Sequence, residues 1–263
     1  MKNYILVPDP QMTYDGSIKP RTDIGAILST ALSFQRINYP MYSVPNNYKL
    51  INDNVVKTMM SHSNAYLQFP LYTNFPLEVD FIEKAHAKEI KVIAIVHDIN
   101  SLRGLRNDIQ KDISILNQFD LITLPSRAAK SVLERHNLIT PVVVQENPFD
   151  FLTTAPLKTA HFSKIVNFAG NISYSKAGFL KNMRDVTMHV YGSNLDFELP
   201  NNIKYLGKLS NDELVEHLGN GFGLLWDAGE INKPTFKSYE KYNWQYKLSL
   251  YLAAGIIPVA DKM

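Results

Sequence analysis

Short apolar runs alternate with amphipathic segments along most of the chain, which is typical of parallel strands joined by helices. In the first half, the apolar runs predict strands, and apolar residues at helical spacing predict the segments between them. The predicted strands cover residues 4–7, 41–44, 65–69, 91–96, 121–124 and 142–145, and the predicted helices cover residues 22–32, 53–62, 77–88, 108–118 and 127–137. This pattern indicates a doubly wound α/β sheet.

A second series of apolar runs follows a polar stretch that starts at Asn147 and continues to about His161. Pro148 and Pro156 lie in this stretch and favour a linker there. The later runs predict strands at residues 165–169, 187–191, 203–206, 222–226 and 256–259. The sequence therefore predicts two Rossmann-like α/β domains, one over residues 1–155 and one over residues 156–263.

Composition agrees with this organisation and excludes several classes of protein. With 263 residues, of which 45% are hydrophobic, the chain is long enough to bury two cores. Cysteine is absent from the sequence, so disulfides and thiolate metal sites are excluded. A net charge of +2 from 27 basic and 25 acidic residues gives no broad positive field, and no nucleic-acid partner is expected.

Hydropathy also bears on location. The opening residues MKNYILV reach Pro8 and Asp9 too soon to form the apolar core of a signal peptide. The longest apolar run, residues 248–260, is interrupted by Ser249, Gly255 and Pro258 and is too short to span a bilayer. We therefore expect a cytoplasmic protein with no membrane span.

Lys247 stands at the start of a short predicted helix that leads through Gly255 into a strand expected to be buried. Unpaired N–H groups and the positive end of the dipole at a helix N-terminus favour an anion, and a lysine there can share it. Gly255 is suited to the left-handed residue that ends a helix. Lys247 is a candidate ligand of a diphosphate, and the alternative is a solvated lysine on an amphipathic helix.

Two segments carry a family resemblance, GFGLLW at 221–226 and YKLSLYLAAG at 246–255. They resemble the C-terminal signature of bacterial GT-B sugar transferases, in particular the glucosyltransferases that extend O-linked N-acetylglucosamine on serine-rich repeat adhesins. Bacterial galactofuranosyltransferases are related. The resemblance covers most of the chain and is strongest from Ile165 onward.

The resemblance implies a GT-B fold, in which two Rossmann-like domains face a cleft. It also implies transfer of a hexose, glucose from UDP-glucose, to a sugar hydroxyl on a glycosylated protein or glycan. The C-terminal domain would bind the UDP-sugar and the N-terminal domain the acceptor.

The turn after the strand at 165–169 is the second candidate donor element. It carries Gly170 and Asn171 but lacks G-x-G-x-x-G spacing, so a dinucleotide oxidoreductase is disfavoured. The resembling transferases hold the nucleotide with a cationic residue in this turn, where the sequence has Tyr174, with Lys176 two residues on. Lys208, after the strand at 203–206, is a further candidate. The alternative is an ordinary Gly-Asn turn with solvated lysines.

Metal ligands are not expected. The sequence contains no Asp-x-Asp, and no histidine pair with metal-ligand spacing stands near an acidic partner. A metal-independent transferase with no cofactor besides its UDP-sugar substrate is predicted, in agreement with what the resemblance implies.

His97 and Asp98 follow the predicted strand at 91–96 and are the candidate acceptor residues. Asp98 is the candidate catalytic residue, because an attacking hydroxyl needs a base or an orienting acceptor within hydrogen-bond reach. The alternative is that Asp98 caps the following turn. Gly16, in the long loop 8–21, and Asp227, at a strand end, are further candidate substrate ligands.

Two departures from the family pattern affect the second domain. The chain ends at Met263, where the family continues, and it has Ile256 and Ile257 before Pro258, where the family has a single isoleucine. We therefore expect a truncated second domain and self-association into a homo-oligomer. The alternative function is a non-catalytic or truncated nucleotide-sugar-binding subunit.

Overall fold

A computed structural model describes residues 2–9, 17–73, 75–104, 108–159, 161–226 and 239–260. The chain divides into two compact units, Met1–Asn147 and Pro148–Met263. This division precedes the boundary predicted after residue 155. The Phe149 carbonyl accepts a hydrogen bond from the Ser249 hydroxyl, and Ala155 packs into an apolar cluster of unit 2. Residues 148–155 therefore belong to unit 2.

Unit 1 is a parallel sheet with strand order β2-β1-β3-β4-β5-β6. The chain runs β1 Asn3–Pro8, α1 Ile18–Leu32, β2 Gln35–Tyr39, α2 Tyr48–Thr58, β3 Asn64–Phe69, α3 Pro76–Ala87, β4 Lys91–Val96, α4 Ile109–Leu116, β5 Leu121–Leu124, α5 Arg127–Arg135 and β6 Val142–Val144.

Both faces of the central strands in unit 1 are buried, as in other doubly wound sheets. Leu67, Phe69 and Phe81 belong to the larger apolar cluster, whereas Ile5 and Val7 belong to a second one against which Leu28 of α1 packs. Because strands β1, β3 and β4 are enclosed, their sequences are apolar runs that could be recognised without a structure.

The prediction of a strand at residues 41–44 was wrong. β2 forms at Gln35–Tyr39 and pairs in parallel with β1. It is an edge strand of mostly polar and exposed residues, so an apolar run does not mark it. Tyr42 has a φ of +68°, which a strand does not accommodate.

Two helix boundaries near this edge strand also differ from the predicted ones. α1 begins at Ile18, so the end of the predicted loop 8–21 is helical. α2 covers Tyr48–Thr58 instead of residues 53–62, and His62, at a φ of +56°, lies beyond its end.

Unit 2 is a parallel sheet with strand order β11-β10-β7-β8-β9. Its elements are β7 Ile165–Asn171, α6 Tyr174–Ala177, a 3₁₀ turn Gly178–Asn182, β8 Thr187–Ser193, β9 Ile203–Tyr205, α7 Asn211–His217, β10 Phe222–Leu225, a 3₁₀ turn Glu240–Tyr242, α8 Tyr246–Ala253 and β11 Ile257–Ala260.

The strand expected to be buried after Gly255 lies at an edge. Within the described part of unit 2, β11 pairs with β10, and Ile257 and Val259 are exposed. The helix end was predicted correctly, because Gly255 has a φ of +69°. No helix in the ranges the structure describes is both long and apolar enough to cross a membrane.

Candidate functional site

The carboxyl ends of β7 and β8 form the centre of the candidate donor site in unit 2. Gly170 and Gly192 are register partners on these strands. A Cβ placed on Gly192 would lie 1.7 Å from the carbonyl oxygen of Gly170, so the backbones approach too closely for a side chain there. Such bare backbone at the end of parallel strands is where open α/β sheets receive ligands.

Tyr251 fixes α8 to the carboxyl ends of β7 and β10. The Tyr251 hydroxyl donates to the Leu224 carbonyl at 3.2 Å and accepts from the Ala169 N–H at 3.1 Å. A Cβ on Gly223 would lie 2.4 Å from the Tyr251 ring, so the helix packs directly on the backbone of β10. The first turn of α8 therefore has a defined position beside the ends of β7 and β10.

Lys247 lies in that first turn, and the structure brings it to Gly170. A Cβ built on Gly170 would be 3.8 Å from Lys247 Nζ. Nζ also donates to the Trp226 carbonyl at 3.3 Å and sits 4.4 Å from the centroid of the Phe168 ring. The first turn of α8 carries no acidic residue. A half-buried ammonium and a helix N-terminus thus lie together where a diphosphate would need positive charge.

The other predicted donor residues follow in the same turn or on the next strands. Asn171 Oδ1 accepts the Ser173 N–H at 2.9 Å, which shapes the turn. Tyr174 donates its N–H to Asp196 at 2.7 Å, and its partly exposed ring contacts Phe197 edge-on. Lys176 follows on α6.

Lys208 lies beyond β9 and is exposed. Its neighbour Gly207 accepts the Gly192 N–H at 2.9 Å, so Lys208 stands beside the end of β8. Sequence reasoning missed Gly192 and Asp196. A glycine directly after the apolar part of β8 was a usable signal for Gly192, whereas Asp196 had none.

Asp98 lies just after β4 in unit 1 and belongs to a polar cluster. Its Oδ2 accepts from the Tyr72 hydroxyl at 2.8 Å and from Arg103 Nη1 at 3.2 Å. Arg103 Nη1 also donates to the Tyr72 oxygen at 3.1 Å. Burial, followed by the charge of Asp98, raises the pKa of Tyr72 to about 12. Tyr72 is therefore protonated at neutral pH and donates to the carboxylate.

His97 points into unit 1 and is 5% exposed. The Gln68 amide nitrogen donates to the carbonyls of Leu6 and Arg21, so Gln68 Oε1 is left to accept from His97 Nε2 at 3.0 Å. Burial, with a further contribution from the charge of Arg21, holds the pKa of His97 well below its usual value. His97 is a neutral, enclosed ring at neutral pH.

Arg21 is a fully buried cation beside this cluster. It donates to the Gln68 carbonyl at 3.3 Å and to the Pro70 carbonyl at 3.0 Å, and its guanidinium lies 5.8 Å from the centroid of the Tyr72 ring. Burial lowers its pKa, with partial compensation by Tyr72 and Asp98. Arg21, Gln68 and Tyr72 were not predicted, because their proximity arises only from folding.

Two predicted substrate ligands, Gly16 and Asp227, lie outside the described residues. Within the ranges that are described, no group of three or more His, Asp or Glu side chains is arranged to hold a metal ion.

Two protein-family profiles match the chain. Residues 2–147 match the N-terminal domain of glucosyltransferase 3-like proteins, and residues 166–260 match their C-terminal domain. The chain belongs to the glucosyltransferase 3-like family. The family predicted from the segments at 221–226 and 246–255 is confirmed.

Curated relatives and solved structures extend this result. Glucosyltransferase 3 of Streptococcus parasanguinis is 25% identical over 208 residues, which are 78% of this chain and 61% of that protein. Glucosyltransferase 3 of Streptococcus gordonii is 24% identical over 237 residues, which are 87% of this chain and 70% of that protein. The chain thus spans less than two thirds of the length of the first of these relatives.

Two solved structures share the fold. Anabaena HepE in complex with UDP and glucose has a TM-score of 0.52 at 14% identity, with 85% of this chain and 74% of that chain covered. An alpha-glucosyltransferase in complex with UDP has a TM-score of 0.56 at 12% identity, with 99% and 80% covered. With the two parallel sheets described above, these likenesses confirm the predicted α/β GT-B fold class of two Rossmann-like domains.

Proposed function

We propose that this protein is a glycosyltransferase that moves glucose from UDP-glucose to a hydroxyl of a sugar already attached to a protein or glycan. Membership of the glucosyltransferase 3-like family supports the reaction class. The two streptococcal relatives are named as glucosyltransferases, and the two GT-B structures contain UDP, which supports the donor.

The position of Lys247 Nζ beside the bare backbone of Gly170 carries this proposal. A built Cβ on Gly170 would lie 3.8 Å from Nζ, so phosphate oxygens can approach the backbone of β7 and the ammonium together. When the glycosidic bond breaks, negative charge grows on the departing UDP, and a positioned cation stabilises that charge. Lys247 and the α8 N-terminus supply positive charge, and we propose that transfer is metal-independent. Asn171, Tyr174, Lys176 and Lys208 are proposed as further donor ligands.

On the acceptor side, we propose Asp98 as the group that orients the acceptor hydroxyl and accepts its proton. Its carboxylate is 16% exposed and is held at a strand end by Tyr72 and Arg103. A fixed anion of this kind needs little rearrangement to receive a hydrogen bond from a hydroxyl. His97, buried in unit 1 next to Asp98, is proposed to support the carboxyl end of β4 from inside. Gly16 and Asp227 remain proposed substrate ligands.

The test is transfer itself, measured on the purified chain without added metal. UDP-glucose is combined with a peptide bearing O-linked N-acetylglucosamine, and UDP release and the glycopeptide mass are followed. We expect UDP release that depends on the acceptor and a product heavier by one hexose. A chain that protects UDP-glucose from breakdown and yields no product would instead be a non-catalytic nucleotide-sugar-binding subunit. The cytoplasmic location and the homo-oligomer stay predictions.

A further inference from the structure

The Tyr72 hydroxyl is hydrogen-bonded to the Asp98 carboxylate at the candidate acceptor site. It donates to Asp98 Oδ2 at 2.8 Å, while Arg103 Nη1 lies 3.1 Å from the same hydroxyl oxygen and 3.2 Å from Oδ2. The three polar groups form a closed triangle. Because the two donors come from different loops, one after β3 and one after β4, they hold the carboxylate in one orientation.

The Tyr72 ring is also held in place. It stacks on Tyr42 with ring centroids 5.4 Å apart and planes 7° from parallel, and the Arg21 guanidinium lies 5.8 Å from its centroid. Tyr72 and Tyr42 have φ values of +59° and +68°. Left-handed backbone is unfavourable for tyrosine, and it persists where the surroundings enforce it, often at functional sites.

Buried hydrogen bonds enforce the backbone on both sides of Tyr72. Arg21 donates to the carbonyls of Gln68 and Pro70. The Leu71 carbonyl accepts the Tyr42 N–H at 2.8 Å, and Glu78 accepts from the Leu71 N–H at 3.3 Å and from the Thr73 hydroxyl. The segment that carries Tyr72 is therefore fixed by side chains of α1 and α3, so its hydroxyl is presented at a set position.

From this arrangement we propose that Tyr72 is a positioning residue that holds the Asp98 carboxylate in its productive orientation for the acceptor hydroxyl. The inference rests on the proposed transferase function and adds a named residue to it. Arg21 and Tyr42 fix the ring, the hydroxyl fixes the carboxylate, and only Asp98 contacts the substrate. Misplacement of a reacting group by about 1 Å costs roughly 100-fold in rate.

Tyr72→Phe tests the proposal, because it keeps the ring stacked on Tyr42 and removes the hydroxyl alone. We expect kcat for transfer to fall about 10- to 100-fold, with KM for UDP-glucose and the affinity for UDP unchanged. The matched control is Tyr66→Phe, since Tyr66 lies in the same unit with its ring 4.9 Å from that of Phe34. Wild-type kcat in a folded Tyr72→Phe variant would overturn the proposal.

The double variant with Asp98→Asn separates positioning from an independent effect. If Tyr72 acts through Asp98, the Tyr72 hydroxyl has little effect on kcat once the carboxylate is removed. Tyr72→Phe should then lower kcat much less in the Asp98→Asn background than in the wild type. An equal loss in both backgrounds would contradict the inference.

Failure of the proposed function is recognised separately. A folded wild-type chain that releases no UDP with any sugar acceptor would refute the transferase function. The wild type, Tyr72→Phe, Asp98→Asn and the double variant would then be compared by thermal unfolding. A melting-temperature loss in the double variant smaller than the sum of the single losses would still support coupling of Tyr72 to Asp98. Additive losses would refute it.

Discussion

Lys247 is the residue of unit 2 that we propose binds the diphosphate of the nucleotide. We expect Lys247→Ala to weaken UDP binding by about 1 to 3 kcal/mol, the scale of a lost charge-assisted hydrogen bond in a partly buried site. Isothermal titration calorimetry measures the change. Lys204→Ala, at an exposed position in β9, is the matched control and should bind UDP like the wild type. Unchanged UDP affinity in folded Lys247→Ala would assign Lys247 to an ordinary solvated helix face.

We propose that Asp98 acts on the acceptor and takes no part in donor binding. We expect Asp98→Asn to lower kcat by roughly 100- to 10,000-fold, because the substitution keeps the shape and removes the proton-accepting charge. UDP affinity should stay at the wild-type value. Asp53→Asn is a control on the surface of the same unit, where Asp53 pairs with Lys84. If Asp98→Asn loses UDP binding and transfer equally, Asp98 belongs to the donor site or to the fold.

His97 should make the stability of the chain depend on pH. Its pKa in the folded state is lowered by burial and then by Arg21, so the unfolded chain binds this proton more readily than the folded one. The contribution of His97 to the free energy of unfolding is fully present above the pKa of about 6.5 that histidine has in the unfolded chain. Below that pH the contribution falls by at most about 1.4 kcal/mol per pH unit.

The check is the free energy of unfolding, measured in denaturant between pH 7.5 and pH 5 for the wild type and His97→Gln. We expect a shallower pH dependence in the variant, since glutamine has no proton to gain. His136→Gln, at an exposed helix end, should follow the wild type. Parallel curves for the wild type and His97→Gln would show that His97 does not take up its proton on unfolding.

At the scale of elements, the contact of α8 with β10 sets where Lys247 stands. A Cβ on Gly223 would lie 2.4 Å from the Tyr251 ring, so Gly223→Ala must displace the helix or the ring. We expect a loss of stability of about 1 to 3 kcal/mol, as for other overpacked positions, together with weaker UDP binding. Denaturant unfolding and calorimetry measure both.

Gly219→Ala, between α7 and β10, is the control for this substitution. The nearest atom to a Cβ there, Lys158 Nζ, is 3.7 Å away, so the added methyl group fits without displacing anything. Its UDP affinity should equal that of the wild type. If Gly223→Ala binds UDP normally although it is destabilised, the position of α8 does not control the donor site.

At the scale of the whole molecule, the proposed use of lysine in place of a metal gives a direct test. UDP should raise the melting temperature of the chain without divalent cations, because a ligand that binds only the folded state stabilises it by mass action. Addition of a chelator should leave the shift unchanged. A shift that disappears with the chelator and returns with manganese would refute metal independence.

The sequence by itself determined the α/β alternation, the strands β3, β4 and β5, and the end of α8 at Gly255. Strands inside a parallel sheet are largely apolar, and a left-handed helix end favours glycine, so both leave local signals. The carboxyl ends of such strands often bind ligands, and this local rule made Gly170 a candidate, whereas the start of a predicted helix made Lys247 one.

Only the tertiary structure decided the placement of β2, the division at Asn147, and the cluster of Arg21, Tyr72 and Asp98. β2 is a polar edge strand whose place depends on pairing with β1, and residues 148–155 join unit 2 because of packing that local composition does not record. Arg21, Tyr72 and Asp98 come from three separate stretches of chain. Their hydrogen bonds and buried charges exist only after the sheet has formed, so no periodicity or spacing in the sequence could reveal them.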